Sequence, residues 1–162
     1  MDKKIYLGKI VSTHGIKGEL RIISDFEYKD KAFKTGTHLV IDDDKYLIKS
    51  YRKHKNYDMV TLNDFKDINE VLYLLKKNVY KYESELNLDD GEILDSELMM
   101  YKVIDKNRNC GIIKEIFKAS PTNKIMRVEF EHEVLIPLSS PMIKNISKKD
   151  KEVEVELIDG MM

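Results

Sequence analysis

A histidine, a lysine and two glycines fall together at His14-Gly15-Ile16-Lys17-Gly18. A titratable ring and a fixed positive charge beside glycines suit binding better than bond-making. Gly15 and Gly18 can take positive φ and bring the backbone close to another surface. Amides exposed in such a loop, with a lysine beside them, can hold a phosphate. The plainer reading is a basic β-turn with no partner. Covalent chemistry finds less support. His14, His38, His54 and His132 share no metal-ligand spacing with one another or with Cys110. His132 sits in an acidic turn, and Cys110 has no predicted base beside it. The chain has no Gly-x-x-x-x-Gly-Lys-Ser/Thr phosphate loop, no Gly-x-Gly-x-x-Gly opening a helix and no Gly-x-Ser-x-Gly. No enzyme activity, metal or cofactor is expected.

The elements that position the loop are two strand-like runs, Ile5–Val11 and Glu19–Ser24, so it sits on a β scaffold, where binding function concentrates. Gly15-Ile16-Lys17-Gly18 also spells the Gly-x-x-Gly clamp of KH domains, but that clamp joins helices, and strands flank it here. Further strands are predicted at His38–Ile41, Tyr46–Tyr51 and Asp58–Leu62, with a turn at Asp42-Asp43-Asp44 and a basic turn at Arg52–Asn56. Ile68, Val71, Leu72 and Leu75 mark one apolar helical stripe. Asp67 is its expected N-cap, Glu70 completes a capping box, and Asn78 is the left-handed exit. Val79–Tyr82 then returns as a strand. The expected first unit is a small antiparallel barrel closed by one short helix.

Residues 84–97 hold six acids and no base, whereas residues 1–83 carry 17 Lys/Arg against 13 Asp/Glu. Residues 98–162 are near neutral, with 11 bases and 10 acids. The 162-residue chain therefore reads as a domain over 1–83, an acidic linker over 84–97 and a second β domain over 98–162. About five strands are expected in the second domain: Tyr101–Asp105, Gly111–Phe117, Ile125–Phe130, Val134–Pro137 and Val153–Leu157. Pro141–Ile146 is expected to be a bend or a single helical turn. A lone cysteine excludes a disulfide framework and fits a reducing compartment. The apolar run Val71–Leu75 is too short to cross a bilayer. A cytoplasmic monomer without membrane contact is expected.

The opening stretch resembles that of the RimM family, bacterial ribosome maturation factors. Members begin with a strand ending Gly-Lys-Ile, here Gly8-Lys9-Ile10. A His/Phe-Gly-(Leu/Ile)-(Lys/Arg)-Gly-Glu loop follows, here His14 to Glu19, and then a second strand, here Leu20-Arg21-Ile22. Asp67-Ile68-Asn69-Glu70 resembles the helix that closes the family's first barrel. Leu98, Val103, Gly111, Leu135-Ile136-Pro137 and Asp159-Gly160-Met161 resemble its second domain, a PRC-barrel. Ile93-Leu94 stands where members carry an aromatic pair, and Met100 where they carry a glycine.

The resemblance implies a mostly β (α+β) protein of two small antiparallel barrels. It implies binding to the immature 30S subunit near its head, through a head ribosomal protein (number nineteen in the usual naming) and 16S rRNA, without covalent chemistry. His14, Gly15, Ile16, Lys17 and Gly18 would contact rRNA or ribosomal protein. Ribosomal proteins are mostly basic, so Asp89 and Asp90 would steer one inward. Ile93, Leu94, Met100 and Tyr101 would supply the apolar anchors, unless they pack the barrels together or fill the second core. The alternatives are a general RNA-binding module and an accessory domain of an RNA-processing enzyme.

Overall fold

The computed structural model describes residues 2–120 and 122–158. Asp159-Gly160-Met161, part of the resemblance, lie outside the described residues. The chain divides into two compact units, Met1–Asp89 and Asp90–Met162.

The first unit runs β1 (Lys4–His14), β2 (Glu19–Ser24), a short helix α1 (Lys29–Ala32), β3 (His38–Ile41), β4 (Asp44–His54), β5 (Tyr57–Leu62) and β6 (Asn78–Tyr82). These strands close a barrel in the order β1-β2-β5-β4-β3-β6, with every pair antiparallel. Alternation along the strands buries Leu20 and Ile22 on β2, Val60 and Leu62 on β5, and Val79 on β6. Asp42 and Asp43 both take positive φ, 51° and 69°. That is the backbone a two-residue hairpin turn requires, so the acidic triplet turns the chain as expected.

The segment after β5 departs from its expected form. It makes two 3-10 turns, Ile68–Glu70 and Leu72–Leu74, where the apolar stripe predicts one α-helix. Val71 and Leu74 are buried while Leu72 is exposed. Buried positions three apart fit the tighter turn, in which residues i and i+3 eclipse. Asp67 caps it, its carboxylate accepting from the Asn69 amide at 2.8 Å. Glu70 accepts from the Lys66 amide at 3.0 Å, one residue earlier than a capping box requires. The left-handed exit is Lys76, at φ 67°, and Asn78 instead opens β6.

The second unit contains α2 (Asp95–Leu98), β7 (Lys102–Ile104), β8 (Cys110–Ser120), β9 (Asn123–Glu129), β10 (Glu133–Pro137), β11 (Ile143–Ser147) and β12 (Glu152–Val155). They form a six-stranded sheet in the order β10-β9-β8-β7-β12-β11, in which β12 and β7 pair in parallel. Val103, Ile113, Met126, Val128, Ile136 and Val153 lie in its core. The expected bend at Pro141–Ile146 is largely β11. This is an edge strand with Lys144, Asn145 and Ile146 all exposed, so it carries no alternating apolar signal. The division between units falls inside the acidic stretch 84–97. Leu86 and Leu94 within that stretch are buried, and Asp95 already begins α2.

Candidate functional site

The β1–β2 hairpin presents the loop identified in the sequence. His14 pairs with Glu19 across its base, and Gly15 and Gly18 take φ of 71° and 92°. The two glycines serve different ends. Open space surrounds Gly15, whereas a Cβ at Gly18 would sit 3.4 Å from the Asp67 carbonyl oxygen. Ile16 accepts a hydrogen bond from the Ile68 amide at 2.9 Å, which pins the loop to the first 3-10 turn. The Ile16 side chain is 76% exposed, and Lys17 is exposed beside it. A fixed backbone thus projects an apolar side chain and a cation into solvent.

Residues outside the loop enlarge this site. Arg21 Nη2 lies 2.6 Å from His14 Nδ1, and since a guanidinium can only donate, the imidazole nitrogen accepts. Arg21 Nη1 donates to the Thr13 carbonyl at 3.0 Å and to Ser12 Oγ at 3.3 Å. The guanidinium also lies 5.6 Å from the centre of the Tyr57 ring, within cation–π range. The His14 and His54 rings are 5.8 Å apart. Arg52 forks onto Glu19 with bonds of 2.9 and 2.8 Å, and these bonds hold the Glu19 carboxyl below its usual range against the opposing effect of burial. Strand register explains the assembly. Arg21 on β2 and Arg52 on β4 both pair with Met59 on β5, so all three share the face that also carries Tyr57 and His54.

Sequence reading missed Arg21, Arg52, His54 and Tyr57 as site residues. The run Arg52-Lys53-His54-Lys55 is visible as a basic turn, although Arg52 to His54 prove to lie in β4 and the turn follows at Lys55. Nothing local in the sequence says which strand lies beside it.

The second candidate group is split by burial. Tyr101 is buried in the second core, with its hydroxyl donating to Glu97 at 3.3 Å and its ionisation pushed up by that burial. Leu94 is buried as well, and Ile93 packs against the second core. Among the four expected anchors, Met100 stands out at 78% exposure. Leu94 and Tyr101 therefore belong to packing rather than to a surface patch, because side chains of that size stabilise a small unit most when enclosed. Asp90 is exposed, and Asp89 pairs with Lys31 at 3.2 Å. Among the described residues no group of three or more His, Cys, Asp or Glu is placed to hold a metal ion, and no helix is long and apolar enough to cross a membrane.

Residues 5–86 match the family described as the RimM N-terminal domain. A ribosome maturation factor RimM from Ligilactobacillus salivarius is 35% identical, the alignment covering 96% of each chain. One from Streptococcus pneumoniae is 31% identical, over 96% of this chain and 95% of its own. Among solved structures, the N-terminal domain of RimM from Thermus thermophilus is similar to 53% of this chain and 96% of its own, at 15% identity and a TM-score of 0.46.

Proposed function

This chain belongs to the RimM family, and from that premise we propose that it is a ribosome maturation factor acting on the immature 30S subunit near its head. It contacts a head ribosomal protein, number nineteen in the usual naming, and 16S rRNA. It works by binding alone: holding one arrangement of the head more tightly than its competitors shifts the population by that difference in affinity. The observation that carries this reading is the loop His14 to Gly18. The residues that match the family's opening motif form one pinned, solvent-facing loop, with Ile16 and Lys17 exposed to a partner.

The acidic connector serves the protein partner. Asp89 and Asp90 raise the encounter rate with a basic ribosomal protein, an effect that salt screens. Met100, exposed close by in sequence, supplies the apolar contact. Binding to the purified head ribosomal protein, followed by surface plasmon resonance, tests this reading. Asp89→Lys/Asp90→Lys should slow association about tenfold at low salt and much less at high salt. Met100→Ala should speed dissociation several-fold with an unchanged melting temperature. If both variants bind as the unaltered chain does, the connector is not the protein-binding surface.

A further inference from the structure

The outer face of the barrel continues the loop's surface with Arg21, Arg52, His54 and Tyr57. We infer that the face formed by β1, β2, β5 and β4 binds single-stranded RNA, with Arg52 on its phosphates, His54 and Tyr57 as stacking surfaces, and Arg21, whose amines go to Ser12, Thr13 and His14, bracing the hairpin beside them. The inference rests on the proposed function only in taking the RNA to be ribosomal.

Charge is the first argument. Residues 12–21 and 50–57, the parts of the two hairpins that border this face, carry Lys17, Arg21, Arg52, Lys53 and Lys55 against a single acid, Glu19, although Lys53, paired with the buried Asp58, alternates away from the row of Arg52 and His54. Residue choice is the second. The chain holds 24 lysines and only four arginines, and two of the four stand in one row here, each paired with Met59. Where composition leans so far towards lysine, arginine marks positions that need a planar fork. Arg21 directs its amines to Ser12, Thr13 and His14, and Arg52 offers a carboxylate-binding fork whose geometry also suits phosphate. Tyr57 and two imidazoles lie among these cations, so aromatic faces and positive charge alternate on one sheet surface. That is the combination that holds single strands with little regard to sequence. Met59, in register with both arginines, is fully buried, so the face is polar at its surface and apolar beneath.

Glu19 gives the face a built-in competitor. Its carboxylate occupies the Arg52 fork with two bonds, as a phosphate would. RNA binding exchanges this partner: the Arg52 hydrogen bonds pass from the Glu19 oxygens to phosphate oxygens. Removing the two members of the pair should therefore have opposite consequences for RNA, whereas a structural ion pair would give the same sign from either side.

The test uses the full chain and a fluorescein-labelled single-stranded RNA of mixed sequence, about twelve nucleotides long to match a small β-barrel site. Fluorescence anisotropy should find Arg52→Ala about tenfold weaker, with a salt slope reduced by about one. Glu19→Gln should bind about threefold tighter, the scale of one partly exposed ion pair. If Glu19→Gln melts early, Arg52→Ala and Lys55→Ala carry the test, each expected to weaken binding and to flatten the salt dependence. Shifts of the same sign in Arg52→Ala and Glu19→Gln, or no shift in any variant, overturn the inference. So does an altered affinity for the head ribosomal protein with RNA affinity untouched, which would make this a protein surface. Co-sedimentation of the unaltered chain with precursor 30S particles separates the two levels. If it co-sediments while the RNA shifts are absent, only this inference fails. If it does not co-sediment but the opposite shifts appear, the RNA face stands and the ribosomal particle does not.

Discussion

Gly8→Ala is expected to unfold the first unit or cost it about 4 kcal/mol or more, the range reserved for gross steric conflict. Gly8 lies in the middle of β1, paired with Ser24 on β2 and with Val79 on β6. The register of β1 against β6 slips between Tyr6 and Gly8, which marks a bulge. A Cβ there would drive into the carbonyl oxygen of Ile23 and stand 3.1 Å from the Ser24 Cα. Both neighbours are backbone, so relief requires moving β2, and with it the pairing that closes the barrel. Gly15→Ala is the control. Its surroundings are empty and only the left-handed φ of 71° resists the substitution, a cost of about 1–2 kcal/mol. Urea unfolding followed by far-ultraviolet circular dichroism checks both. A Gly8→Ala chain that unfolds within half a kilocalorie of the unaltered one would contradict the packing described for β1.

The second large effect is a dependence of stability on pH. Lys81 is fully buried at one end of the barrel, its ammonium donating to Thr37 Oγ1 at 2.6 Å and to the His38 carbonyl at 2.9 Å. Burial pulls it from 10.5 down to about 8; Glu85 works against this shift and Lys45 with it. His38 Nδ1 lies 3.0 Å from Glu85 Oε1, so the carboxylate is shared. Below about pH 8 both the folded and unfolded chains hold the lysine proton, and folding bears the full cost of burying the charge. Between about 8 and 10.5 the unfolded chain keeps the proton and the folded one releases it. The unfolded state then binds more protons, so stability rises with pH across that window. If the whole shift is realised, the gain is about 3 kcal/mol. Tyr46 and Tyr51 cap the rise. Burial first, then hydrogen bonds to Tyr73 and Asp58 respectively, push their ionisation up, so above about pH 10 the unfolded chain ionises first and stability falls. The melting temperature should climb from pH 7 to a maximum between about 9 and 10. Lys81→Met should remove the climb and be at least as stable at pH 7. A variant that keeps the climb would place its origin elsewhere.

The loop was legible in the sequence because glycine spacing, a cation and flanking strands are all local signals. Gly15 and Gly18 take the positive φ that their types allow. Strand positions followed from alternation, and His38–Ile41 matches its expected bounds. Where one face is not buried the signal fades, as in the edge strand β11, and the four residues of α2 are too few to show a helical period. The stripe over residues 68–75 forms 3-10 turns and not an α-helix because Ile68, Val71 and Leu74 fit a three-residue repeat, while Leu72, which completes the α-helical reading, is exposed. The arginine row was hidden for a different reason. Arg21 and Arg52 are 31 positions apart and meet only through the pairing of β5 with both β2 and β4, a non-local fact that no window of sequence carries. Tyr101 and Leu94 show the reverse failure. Large apolar residues near an acidic strip satisfy the composition of an interface and of a core equally, and burial decides between them.

Ribosome-profile fractionation tests the central claim most directly. An epitope-tagged copy of the chain, expressed in cells and followed across a sucrose gradient, should co-sediment with precursor 30S particles and be absent from 70S ribosomes. Equal presence in the 70S fraction, or confinement to the top of the gradient under low-salt conditions that preserve weak contacts, would contradict the account.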